Sequence, residues 1–262
     1  MRTSFFIGIL IVGLGLGNVF SQTGLQVGFN YSMGRSYTEI DFSQANANNL
    51  TSPAAIAVPL GFEIAWLPRP HWRISTGLSF TFYDTRILHE NPDQIWSGFI
   101  TDNFTYSSLP LEVSYRLSDG PEMKKSFVFI LGGTYDIWGM TSGTSGRSSG
   151  WVRDGVEIGS TQFLNFQTTS ESSFSLRFGL GQEWRLGKRN RSFLQAFVMY
   201  NLGLTPIWEG DFSYWNENIP DGYRWDTPIN DVMGEPVERY EAITSNGSYL
   251  TVGVKFYYDI TK

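Results

Sequence analysis

Eight stretches of this chain carry an apolar residue at every second position, with polar or small residues between. In Gly24–Met33, Leu25, Val27, Phe29, Tyr31 and Met33 share one face and Gln26, Gly28, Asn30 and Ser32 the other. A period of two held this long marks a strand whose faces meet different surroundings, because a helix repeats every 3.6 residues. The same alternation predicts strands over Ala55–Leu67, Trp72–Tyr83, Tyr106–Leu117, Phe127–Trp138, Ser173–Leu186, Ser192–Leu204 and Tyr249–Ile260. The seventh of these is the least regular. Its Phe193 and Phe197 share a face with Gln195 and Asn201, which leaves Leu194, Ala196, Val198, Tyr200, Leu202 and Leu204 for the apolar side.

The connections alternate in length. Those after the second, fourth and sixth segments are short (Pro68–His71, Ser118–Ser126, Gly187–Arg191), whereas 34–54, 84–105, 139–172 and 205–248 are long and polar. Each segment reaches the roughly 9–11 residues that a tilted strand needs to cross hydrocarbon. An even number of strands in up-and-down order closes a sheet without edges, and short periplasmic turns with long extracellular loops are the rule for such barrels. The expected fold is therefore all-β, an eight-stranded antiparallel up-and-down transmembrane β-barrel in the bacterial outer membrane, with both termini periplasmic. Trp66, Trp72, Tyr115, Trp184 and Tyr258 fall near one rim of the apolar face, and Tyr31, Phe82, Tyr135 and Tyr200 near the other, as two aromatic girdles would. A soluble β-sandwich or lipocalin-like barrel would instead turn its apolar face inward.

Residues 1–21 read as a cleaved signal peptide: Arg2 is followed by an apolar run from Phe5 to Leu16 and by Val19-Phe20-Ser21. The barrel then occupies 22–262. Cysteine is absent, which rules out disulfides and a lipid-modified N-terminal Cys. The net charge of −6 is localised. Between Thr205 and Gly247 stand nine acids and two bases, while the rest of the mature chain is neutral. No basic stripe is present to hold nucleic acid.

Parity also sorts the charges of the strands. Glu63, Arg73, Glu112, Arg116, Asp136, Arg177, Glu183, Arg185 and Lys255 all fall on the face opposite the apolar one and so point into the barrel. An eight-stranded barrel is just wide enough to be filled by side chains, and lone buried charges cost several kcal/mol each. The expectation is a salt-bridged, filled lumen with no stable open channel. No metal site or cofactor is expected.

The loops hold the remaining chemistry. In 205–248 the carboxylates are interleaved with aromatics, which makes Trp208, Trp215, Trp225, Asp211, Asp221 and Asp226 candidates for binding a ligand or partner. The plainer reading is a loop folded over the barrel mouth around its own aromatic core, and a third is an added hairpin or a ten-stranded barrel. The Ser/Gly-rich run Thr141–Gly150 reads as a flexible tip. Acyl or peptide hydrolysis needs a base, and the chain has only His71, in a Pro-Arg-Pro-His turn, and His89, in a loop beside acids; no motif marks a nucleophile.

A small pattern recurs at Val58-Pro59-Leu60-Gly61-Phe62-Glu63 and Leu109-Pro110-Leu111-Glu112-Val113, each with a Pro entering a strand at its outer end. The second copy, with Phe127-Val128-Phe129-Ile130-Leu131-Gly132-Gly133 after a short turn, resembles the PorT-like outer-membrane β-barrel family. That resemblance implies a barrel and allows a place in secretion or gliding machinery, and it carries over no catalytic residue. The expected function is a non-enzymatic outer-membrane barrel that presents loops to a partner or ligand, with outer-membrane lipid and other envelope or secretion proteins as partners. The alternatives are a lipid- or peptide-processing enzyme and a narrow transporter.

Overall fold

The computed structural model describes residues 24–37, 50–51, 55–89, 98–117, 124–139, 142–153, 156–187, 191–224 and 226–261. The proposed signal segment and Trp225 lie outside them. In chain order the elements are β1 (Gly24–Tyr37), β2 (Leu50–Thr51), β3 (Ala55–Arg69), β4 (Trp72–His89), β5 (Gly98–Arg116), β6 (Lys125–Trp138), β7 (Ser142–Arg153) and β8 (Val156–Thr168). They continue with β9 (Ser172–Leu186), β10 (Ser192–Gly203), β11 (Trp208–Trp215), the short helix α1 (Ile229–Met233), β12 (Glu238–Ser245) and β13 (Ser248–Asp259).

Eight of these strands form a closed antiparallel barrel in the order β1-β3-β4-β5-β6-β9-β10-β13, with β13 pairing back to β1. The closing ladder runs from Gln26↔Asp259 to Tyr37↔Ser248, so the barrel has no free edge. Its amphipathicity is the reverse of a soluble protein's. Phe62 is 65 % exposed and Leu131 58 %, while Arg73 is 0 % exposed and Glu112 1 %. Such a surface is stable only against hydrocarbon, so the barrel spans a membrane and the soluble alternatives fail. Trp72 and Tyr258 face outward at the end of the short turns, and Tyr31 and Phe82 face outward toward the other end.

Several strands run well past the alternating segments. β4 and β5 have 18 and 19 residues and stay paired out to His89↔Gly98. That exceeds the roughly 9–11 residues needed inside hydrocarbon. Most of the connection 84–105 is thus a protruding ribbon. The expectation of a flexible tip over Thr141–Gly150 is also corrected, because Ser142–Arg153 is a strand paired along its whole length with β8. Small residues suit it. A Cβ at Gly143 would stand 2.8 Å from the Phe166 ring, so glycine leaves room for a cross-strand aromatic. β8 pairs with β11, and β11 with β12, giving a second, four-stranded sheet β12-β11-β8-β7 at the loop end. The connection 205–248 therefore contributes a hairpin above the barrel, and the barrel itself stays at eight strands.

Gly77 on β4 marks a tight approach, where a Cβ would collide with the carbonyl oxygen of Phe62 on β3. No side-chain rotation relieves a clash with backbone. Gly77→Val is expected to destabilise the barrel by at least the ~1–3 kcal/mol of an overpacked interior. Urea unfolding in detergent micelles measures this, and an unchanged midpoint would contradict the close β3–β4 packing.

Candidate functional site

The lumen is filled by two connected ion clusters. At the turn end, Glu183 lies between two guanidinium groups, 2.6 Å from Arg73 Nη2 and 3.0 Å from Arg116 Nε. Arg73 also donates to Gln26 Oε1 at 3.0 Å and Gln195 Oε1 at 3.1 Å, and lies 4.0 Å over the Tyr257 ring. Arg116 donates to the Pro70 carbonyl at 3.3 Å. These partners come from β1, β4, β5, β9, β10 and β13, so one cluster ties most of the wall together.

Toward the loop end, Lys255 Nζ bridges Glu63 Oε1 at 2.9 Å and Glu112 Oε2. Arg177 Nη1 reaches the other oxygen of Glu112 at 3.1 Å. Glu63 accepts further hydrogen bonds from Asn30 Nδ2 and the Tyr257 hydroxyl, both at 2.6 Å. Tyr257 thus connects the clusters, with its ring under Arg73 and its hydroxyl on Glu63. Arg177 Nε donates to Asn201 Oδ1 at 3.2 Å, and Asp136 accepts from Ser175 Oγ at 2.7 Å. The buried acids Glu63, Glu112, Asp136, Glu183 and Asp259 stand against the buried bases Arg73, Arg116, Arg177 and Lys255. Arg185 is half-buried at the turn end. A void of about 20 Å³ lies among Glu63, Glu112, Arg177 and Lys255, the size of a single water.

A reading restricted to charges missed the neutral members Gln26, Asn30, Gln195, Asn201 and Tyr257. Parity already placed Gln26 and Asn30 opposite the apolar face, and Gln195 and Asn201 beside the two inward phenylalanines, so the signal was present in the pattern.

The loop end is sealed by a second core. Tyr83, Phe104, Tyr106, Trp138 and Tyr249 from the barrel strands meet Leu164, Trp208, Phe212, Tyr214 and Ile243 from the upper sheet. Tyr106 stacks on Trp138 with centroids 3.8 Å apart. His89, 1 % exposed, joins the two bodies: its Nε2 lies 3.0 Å from Glu238 of β12, and its ring packs 4.5 Å from Tyr214 and 5.3 Å from Phe212. His71 contacts the Arg116 carbonyl at 3.0 Å through Nδ1 at the β3–β4 turn.

The candidate binding residues of 205–248 separate. Trp208 and Trp215 are buried, and Trp215 Nε1 donates to the Gly234 carbonyl at 3.0 Å. Expected as exposed aromatics, both are structural here, because a sheet above the membrane needs a core of its own. Asp211 is half-buried and accepts from Asn165 Nδ2 at 3.0 Å, while Asp221 and Asp226 are exposed. Trp225 is not among the described residues. Nor do those residues include any cluster of three or more potential metal ligands.

No protein-family model matches the chain, and no curated protein matches it in sequence. The PorT-like resemblance therefore gains no support at the level of sequence. Among solved structures the chain is similar to the outer membrane protein OprG from Pseudomonas aeruginosa, at 11 % identity and a TM-score of 0.45, covering 90 % of this chain and 95 % of that one. It is similar also to the N-terminal β-barrel domain of OprF from the same organism, at 8 % identity and a TM-score of 0.37, covering 90 % and 99 %. Similarities this distant carry no argument about role.

Two outcomes follow from the site. Glu183→Gln leaves Arg73 and Arg116 buried without their shared carboxylate, and should lower barrel stability by about 3–5 kcal/mol in urea titrations followed by tryptophan fluorescence; a variant of wild-type stability would contradict the triad. His89→Ala should loosen the contact of the upper sheet with the end of β4 and leave the barrel closed. Limited proteolysis should then cut within 205–248 several-fold faster while the barrel fragment persists, and an unchanged cleavage rate would count against His89 as the joint.

Proposed function

We propose that this protein is a non-enzymatic outer-membrane β-barrel of a Gram-negative envelope that acts as a scaffold, with its termini periplasmic and its upper sheet displayed outside the cell. The observation that carries this reading is the filled cross-section, in which Arg73–Glu183–Arg116 and Glu63–Lys255–Glu112–Arg177 occupy the lumen and the aromatic core covers its mouth. A small solute entering from the loop end would have to displace that core and then separate buried ion pairs. The orientation is supported by the uneven connections, with the short turns, the start of β1 and the end of β13 at one end and folded hairpins at the other.

Catalysis through the histidines finds little support. His89 is enclosed between two aromatic rings, and His71 bonds a backbone carbonyl in a turn. A narrow transporter would need a continuous wet path, and the void among the ion pairs is water-sized. The scaffold would stand in contact with outer-membrane lipid and would hold its upper sheet for another envelope or secretion component or for a ligand. Purified, refolded protein in planar lipid bilayers should show no sustained single-channel conductance; steady unitary currents would overturn the reading.

A further inference from the structure

The outward face of the four-stranded sheet, the one turned away from the barrel, is overhung by the connection between β11 and β12. The two enclose a cleft of about 530 Å³, within the roughly 300–1,000 Å³ range of small-molecule sites. Its floor is a transverse row across three strands, Thr144↔Asn165↔Asp211. Thr144 Oγ1 donates to Asn165 Oδ1 at 2.8 Å, and Asn165 Nδ2 donates to Asp211 Oδ2 at 3.0 Å. The relay fixes the Asp211 carboxylate and leaves its second oxygen able to accept. In the next row Ser213 stands opposite Arg239, and both line the cleft. Ser213 is 6 % exposed and forms part of the cleft floor. A half-buried carboxylate fixed through one oxygen, with the other open at the floor of a cleft, is the kind of group that a ligand's donor satisfies.

The lining selects the ligand's chemistry. An anion would face Asp211 on the floor and Asp226 on the overhang; a cation would face Arg239. A neutral ligand rich in hydroxyls suits all three, since each hydroxyl both donates and accepts and bonds to charged partners are strengthened. Tyr223 and Pro228 line the same cleft and offer apolar surface beside the polar row. Sugar rings combine a hydroxylated rim with an apolar C–H face. We infer that this cleft binds a neutral saccharide of one or two rings, free or at the end of a longer glycan. The inference rests on the scaffold reading, in which this sheet faces the cell's surroundings.

The test uses the full refolded protein in detergent micelles and saturation-transfer NMR with glucose, galactose, mannose, N-acetylglucosamine, maltose and cellobiose, and with dextran for the chain-end case. Glucuronate and tetralysine serve as the anionic and cationic controls. Saturable binding of at least one neutral sugar is expected, with the free sugars and dextran compared to tell the two sources apart. Asp211→Asn keeps an acceptor for Asn165 and should weaken that binding about tenfold. The exposed Asp226→Ala, which places no demand on folding, should weaken it several-fold. No saturable signal from any neutral sugar, tighter binding of tetralysine, or affinity unchanged in both variants would overturn the inference. Bilayer recordings keep the two readings apart: silent bilayers without sugar binding defeat only this inference, whereas steady conductance defeats the scaffold.

Discussion

A charge that faces the axis of an eight-stranded barrel has no solvent to fall back on, and the rest of this structure follows from how that problem is met. Taking a carboxylate or guanidinium out of water costs several kcal/mol unless a partner and further hydrogen bonds replace the solvent. Here every cluster combines opposite charges with neutral donors and acceptors. Glu63 collects Lys255, Asn30 and Tyr257, and Arg73 collects Glu183, Gln26 and Gln195. The outward face is then free to be predominantly apolar, which is what the membrane requires.

The upper sheet answers a different requirement. Strands that project beyond lipid lose the hydrocarbon that stabilised their outer face, and polar connections as long as these need a core to stay ordered. The β4–β5 ribbon and the two hairpins supply one by packing aromatics from both bodies into a single cluster. The closed mouth is thus a by-product of keeping the loop end folded. His89 holds a key position in it because one face of the contact belongs to the barrel and the other to the upper sheet.

The barrel was legible from period-two alternation because a membrane imposes opposite chemistry on alternate residues. The inward glutamates and arginines came from the same parity. Their particular partners did not, since which of eight strands faces which across the lumen depends on stagger, and stagger leaves no trace in a single strand. The upper sheet was hidden for another reason. β7 reads as Ser-Gly-Thr-Ser-Gly-Arg-Ser-Ser-Gly, the composition of a linker, and becomes a strand only because β8 lays Phe163 and Phe166 across its glycines. Trp208 and Trp215 looked available for binding because nothing local reveals that a neighbouring connection supplies the surface that covers them.

The ion network also carries a consequence for assembly. Lys255 sits on β13, the last barrel strand made, whereas its carboxylate partners Glu63 and Glu112 sit on β3 and β5. An open sheet lacking β13 would hold two acids without their shared cation and would leave β1 with a bare edge. Insertion of that one strand removes both defects together. Closure is therefore cooperative by construction: a nearly complete barrel is penalised far more than its missing fraction of hydrogen bonds would suggest, and the sheet has little reason to persist half shut.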